Sequence, residues 1–197
     1  MSIALEEMEL PWEEQRVEFS SQNQFTPEFL SISPNNKIPA MIDPDGPGGE
    51  PIALFESGAI LLYLAEKTGR FVPSGAAERY QCIQWLMFQM GGVGPMFGQF
   101  GHFHKFARDE TTDPYALNRY LDETKRLLSV LEKRLTGQDY LLGSGYSIAD
   151  MAVFPWINTL FGFYEAGEMV GISDLPAVDA YWQRCLQRPA VQRVMPA

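Results

Sequence analysis

The stretch FESGAILLYLAEKTG, Phe55–Gly69, constrains this chain more than any other. From Ala59 to Ala65 it carries no charge, so the helix it predicts belongs inside a domain rather than on a surface. The helix follows directly on an apolar strand, PIALFE, and the turn-rich PDGPGG separates that strand from IPAMID. Two short apolar runs around Gly, Pro and Asp predict a β-hairpin with a loop longer than two residues. A buried helix behind a hairpin makes an α/β unit.

Upstream, SIALEEMEL predicts a helix stopped by Pro11, and QRVEF, Gln15–Phe19, fits a strand. FTPEFL starts a short helix, with Thr26 as its cap and Pro27 at its first position. The first 66 residues therefore read α-β-α-β-β-α. Residues 67–78, KTGRFVPSGAAE, are rich in Gly, Pro and small residues and read as a linker. Residues 79–197 read as helices. Leu117, Leu121, Thr124, Leu128, Leu131 and Leu135 recur in steps of three and four within residues 111–135, which describes one helix face. ERYQCIQWLMFQM is a further helix, and GGVGP after it predicts a kink or break. In YSIADMAVFPW, Ser147 and Asp150 stand as the cap and third-position acid of a capping box. The last helix, AVDAYWQRCLQR, ends before Pro189.

The totals exclude several functions. The chain has 197 residues, 46% of them hydrophobic, enough for a real core in one or two domains. It contains no long uncharged apolar run that would span a bilayer. MSIALEEMEL is acidic where a secretion signal would be basic, so a cytoplasmic protein is expected. A net charge of −10 argues against nucleic acid. Cys82 and Cys185 lie far apart, without a C-x-x-C or metal-ligand spacing, and read as buried small residues. His102 and His104 are two apart, which does not place them on one helix face, and no metal is expected.

Glu56 and Ser57 stand where the apolar helix begins. A helix start carries unpaired N–H groups and roughly half a positive charge. A carboxylate can sit there with the Ser57 hydroxyl, and Glu56 can take an ammonium; together they suit an α-amino-acid head group. Ser57 can equally be a simple cap. Ile38–Pro39 opens a strand: trans it is structural, whereas cis it turns the Ile38 backbone outward to pair with an extended peptide. Lys37 beside it fits a solvated flank as well as a ligand contact.

SPNNKIPAMID, FESGAILLYLAEKTG, QWLMFQMGGVGPMFGQ and YSIADMAVFPW resemble the glutathione transferase superfamily, nearly end to end. The likeness is closest to its bacterial nu-class branch and the related yeast nitrogen-regulator type. It implies a thioredoxin-like α/β N-terminal domain, an all-α C-terminal domain and a homodimer. It further implies that Glu56 and Ser57 hold the γ-glutamyl group of glutathione, and that Ile38, before a cis Pro39, pairs with the cysteinyl part. Gln24 and Lys37 would lie towards the glycine carboxylate. Arg119 matches a glutathione-site arginine, supplied by the same subunit or its partner. Asp150 matches a structural acid. The aromatic-rich GQFGHFHKF, Gly98–Phe106, either lines a second-substrate pocket or packs its helix.

Such proteins begin with a strand and a Thr-Pro-Asn-Gly type loop whose Thr and Asn approach the glutathione sulfur. Met1 of this chain falls where they are already in the first helix. The likeness therefore implies a missing first strand, with the expected catalytic loop preceding Met1 and no catalytic residue assigned; a valine codon read as the initiator would explain it. Tyr63 and Tyr80 are read as packing residues. The implied activity is glutathione-dependent: the thiolate attacks a disulfide, which this branch favours, or a small electrophile. The alternative is a non-catalytic glutathione-binding or regulatory protein.

Overall fold

The computed structural model describes residues 1–110 and 113–195. The chain divides into two units, Met1–Arg70 and Phe71–Ala197.

In the first unit, α1 (Ser2–Glu7) and α2 (Pro27–Ile32) precede the strands β1 (Ala40–Asp43) and β2 (Ile52–Phe55), and α3 (Ser57–Thr68) follows them. Thr26 caps α2 as expected, its Oγ1 accepting the Phe29 N–H at 3.3 Å, with Pro27 at the first position. β1 and β2 pair antiparallel, Ala40 opposite Phe55 and Asp43 opposite Ile52. Their loop turns through Gly48 and Gly49 at φ 76° and 81°, where a Cβ would be strained. Ile60, Leu61, Leu64 and Ala65 of α3 are buried, as are Ile3, Ala4, Leu5 and Met8 at α1, and these two helices pack together. Asp43 fastens the hairpin to α3 by accepting from the Tyr63 hydroxyl at 2.6 Å and the Lys67 ammonium at 2.5 Å. Burial pushes the Asp43 carboxyl up, but the hydrogen bonds from Lys67 and Tyr63 outweigh it and hold the group below its ordinary range.

One expected element is absent: Gln15–Phe19 is not a strand. A strand needs a neighbour for its N–H and C=O groups, and the sheet among the described residues holds only β1 and β2. Gln15, Arg16, Glu18 and Phe19 are all exposed, so the segment has no buried face either.

The second unit is helical. α4 (Ala76–Phe88) runs into a π-helical turn, Gln89–Val93, then α5 (Gly94–Gly101) and a second π turn, His102–Phe106. The expected break at GGVGP is thus a wider turn within continuous helix, with Val93 at φ −57° and ψ −55°. The π turn also accommodates Pro95, which has no N–H to give the helix. α6 (Tyr115–Leu135) buries Thr124, Leu127, Leu128, Leu131 and Leu135, the expected face with Leu127 added, while Leu117 and Leu121 are half-buried. Thr111, at the start of that expected stretch, lies outside the described residues. α7 (Ile148–Asn158), α8 (Gly167–Val170), α9 (Pro176–Leu186) and α10 (Pro189–Val194) complete the unit. α5 and α9 pack on α6, and α4 packs on α7. At Gly101 a Cβ would stand 2.1 Å from the Tyr164 ring, so only glycine permits that approach.

The capping box forms as the spacing predicts. Ser147 Oγ accepts the Ala149 N–H at 3.3 Å, and Asp150 Oδ2 accepts the Ser147 N–H at 2.8 Å. Asp150 Oδ1 reaches back to the Leu141 N–H at 2.9 Å, closing the connection between α6 and α7. Cys82 and Cys185 are buried free thiols, both pushed up mainly by burial, and so poor thiolates at neutral pH. Phe100 is buried, whereas Phe106 is exposed beside Phe163, so Gly98–Phe106 both packs and presents aromatic surface. Tyr80 differs from its expectation as a packing residue: it is 70% exposed.

Candidate functional site

The first unit brings two loops together at one cleft. The first begins where α2 ends: the Ser33 N–H donates to the Phe29 carbonyl at 2.8 Å, and the Asn36 N–H to the Ser33 carbonyl at 2.9 Å. Asn36 takes the left-handed conformation that asparagine tolerates, φ 50°. The Ile38–Pro39 bond is cis, and Pro39 leads into β1. Ile38, an apolar residue, is 54% exposed.

The second loop is the junction of β2 with α3. The period of the strand turns Phe55 outward. Glu56 then stands at φ 68° and ψ 114°. That region is costly for a residue with a Cβ, of order 1–3 kcal/mol, and such strain concentrates where a side chain must be aimed. The Glu56 carbonyl accepts the Ile60 N–H at 3.0 Å, opening α3. Its exposed carboxylate makes no capping bond to the helix, so it is available to a cation. Ser57 is half-buried at the first helical position.

Ser33, Lys37, Ile38, Pro39, Phe55, Glu56 and Ser57 line the cleft, about 60 Å³ in volume. That is well below the roughly 300–1,000 Å³ of a pocket enclosing a whole ligand. The cleft can seat the charged end of a ligand while the remainder lies along the surface. Its chemistry is split: helix-start N–H groups and a lysine for an anion, a carboxylate for a cation, and between them the exposed residue Ile38, whose N–H has no hydrogen-bond partner among the described residues.

The structure thus gathers five of the residues singled out in the sequence: Lys37, Ile38, Pro39, Glu56 and Ser57. Gln24 is not among the lining residues; it lies in the short turn Asn23–Phe25, its Oε1 buried without a hydrogen bond. Arg119 belongs to the second unit, on the exposed side of α6, in a hollow with Asp113, Pro114, Tyr115, Asn118 and Asp122. Two lining residues escaped the sequence reading. Phe55 could have been found from strand alternation. Ser33 carried a weaker signal, a hydroxyl just before the turn-rich Pro34, Asn35 and Asn36. Tyr63 points its hydroxyl at Asp43 and serves the hairpin.

An α/β unit with a cis-proline loop facing a helix start, followed in the chain by an all-helical unit, defines a thioredoxin-like class. Residues 1–67 match the family described as Glutathione S-transferase, N-terminal domain, and residues 93–189 match Glutathione S-transferase, C-terminal domain. The chain belongs to the glutathione transferase superfamily. The disulfide-bond oxidoreductase YfcG of Escherichia coli (strain K12) is 47% identical over 196 residues, covering 99% of this chain and 88% of YfcG. A glutathione transferase family member from Pseudomonas fluorescens, solved with two glutathione bound, is 59% identical with a TM-score of 0.95, over 98% of this chain and 85% of that one. A glutathione transferase from Pseudomonas putida, solved with one glutathione disulfide bound per subunit, is 51% identical with a TM-score of 0.96, over 100% of this chain and 86% of that one.

Proposed function

We propose that this chain binds glutathione in the cleft and uses the glutathione thiolate to reduce a small disulfide, with conjugation to an electrophile as the lesser activity. The observation that carries this reading is the meeting of Glu56 and Ser57, at the start of α3, with the exposed residue Ile38 in one cleft. The γ-glutamyl end of glutathione is a zwitterion. Its carboxylate takes the α3 N–H groups and the Ser57 hydroxyl, and its ammonium takes Glu56. The cysteinyl part runs along Ile38. Lys37 and Gln24 lie towards the glycine carboxylate.

The reaction needs no protein thiol, and the buried Cys82 and Cys185 are unsuited to supply one. The glutathione thiolate attacks one sulfur of the disulfide; a mixed disulfide forms and the other sulfur leaves as a thiolate that takes up a proton. A second glutathione thiolate resolves the mixed disulfide, leaving glutathione disulfide and the second substrate thiol. The chain contributes binding and orientation of the peptide, and no residue is assigned here as the donor that lowers the thiol pKa. Two similarities support the disulfide reading: YfcG bears the name disulfide-bond oxidoreductase, and the Pseudomonas putida protein holds glutathione disulfide.

Retention on immobilised glutathione, followed by turnover of hydroxyethyl disulfide and chlorodinitrobenzene, tests the reading. Turnover of the disulfide supports it, binding without turnover favours the non-catalytic alternative, and no binding overturns both. Ser57→Ala is expected to weaken glutathione by roughly 1–2 kcal/mol, the loss of a hydrogen bond to a charged group. Calorimetric titration measures it, and unchanged affinity removes Ser57 from the site.

A homodimer belongs to the same reading. Tyr80 and Met87 are exposed on α4 with Gln84 between them, a stripe of large side chains that a second copy would cover. Light scattering checks the mass in solution. No helix among the described residues is long and apolar enough to cross a membrane, and a cytoplasmic location is part of the proposal.

A further inference from the structure

We propose that Ser33 is a positioning residue of this cleft, the group that aims the Ile38 N–H at the ligand. Ser33 is wholly buried, and its Oγ donates to the Lys37 carbonyl at 2.8 Å. Its own carbonyl accepts the Asn36 N–H at 2.9 Å. These bonds close the loop Ser33–Lys37 on itself from the inside.

The consequence follows from peptide geometry. The Lys37–Ile38 peptide is trans. In a planar trans peptide the C=O and N–H point in opposite directions. Holding the Lys37 oxygen inward on a buried hydroxyl therefore turns the Ile38 N–H outward. Ile38 is exposed, and among the described residues its N–H has no hydrogen-bond partner. It is a donor presented at the cleft wall, placed to take the carbonyl of an extended peptide as an added strand would. The Lys37 carbonyl is already occupied by Ser33.

The proposal rests on the reading of the cleft as a glutathione site and deepens it. It predicts that Ser33 matters to one part of the ligand only. The part that needs the Ile38 N–H is the cysteinyl carbonyl; the γ-glutamyl zwitterion is held by Glu56 and Ser57 on the other loop. A merely structural serine would not distinguish the two.

The experiment compares glutathione with γ-glutamyl ethylamide, which keeps the zwitterion and lacks the cysteinyl carbonyl. Affinities of the wild-type chain, Ser33→Ala and Ser33→Cys are measured by titration, with the Ile38 amide followed by NMR. Ser33→Ala is expected to weaken glutathione by about 5- to 10-fold, the scale of one lost hydrogen bond. Binding of γ-glutamyl ethylamide should change by less than about twofold. The ligand-induced shift of the Ile38 amide should shrink in parallel. Ser33→Cys keeps a weak donor and falls between; it carries the test alone should the alanine variant not fold. Equal losses for both ligands, or unchanged glutathione affinity, overturn the role of Ser33. A wild-type chain that binds neither ligand overturns the reading of the cleft itself, and the proposal with it.

Discussion

Asp150→Ala lowers the stability of the helical unit by about 3–5 kcal/mol at pH 7, on the scale of unpaired buried donors at roughly 1–3 kcal/mol each. The carboxylate is wholly buried and accepts from the Leu141 N–H at 2.9 Å, the Ser147 N–H at 2.8 Å and the Ser147 hydroxyl at 3.0 Å. Alanine leaves all three donors without an acceptor, and partial relaxation trims the sum. Urea unfolding measures the change; a loss below about 1 kcal/mol would mean the donors find other partners.

The same group sets a pH dependence. Burial, set against the hydrogen bonds from Leu141 and Ser147, pushes its pKa from 3.8 up to about 6. The folded chain therefore holds this proton to a higher pH than the unfolded chain does. The stability it contributes is fully present below about pH 4, is lost as pH rises towards 6, and is constant above that. The gap between wild type and Asp150→Ala should thus be wider at pH 4.5 than at pH 7. Unfolding at both pH values checks the sign, and a gap that narrows in acid contradicts it. Asp43 and Glu123, both held low, act in the opposite direction in both proteins and cancel from the difference.

Glu56→Gly separates binding from folding. Losing the carboxylate weakens glutathione by about 1.5–3 kcal/mol, or roughly 10- to 150-fold, as for a hydrogen bond to a charged group. Stability moves the other way. Glu56 sits at φ 68°, ψ 114°, strain of order 1–3 kcal/mol that glycine relieves, less about 0.5–1 kcal/mol for the looser unfolded chain. A gain of about 1 kcal/mol is expected. Glu56→Ala keeps the Cβ and the strain, so it should lose affinity without that gain. Titration and urea unfolding of both variants decide the matter; equal stability for the glycine and alanine forms would show that the backbone stores no strain here.

Much of this was legible in the residues because its physics is local. The hairpin followed from apolar runs around a Gly-Pro-Asp loop, and α2 from a Thr-Pro start. The face of α6 followed from leucine spacing, and the capping box from a serine and an acid three residues apart. The Glu56–Ser57 pair was visible because a helix start behind an apolar strand has known donors. Gln15–Phe19 was misread for the converse reason: its composition suits a strand, but a strand exists only with a neighbour to bond. The π turns were hidden too, since the wider turn at Gln89–Val93 lies in continuous helix that the run of glycines did not announce.

By itself, the sequence determined which segments are helix or hairpin and which residues carry charge at the start of α3, because those depend on neighbours a few positions away. Only the tertiary structure decided that Lys37, Ile38, Glu56 and Ser57 line one cleft, and that Ser33 turns inward to hold the Lys37 carbonyl. The loop after α2 and the end of β2 lie some twenty residues apart in the chain. What brings them together is the packing of β2 on α3 and of α2 on both strands, and no local pattern records the direction in which a carbonyl points.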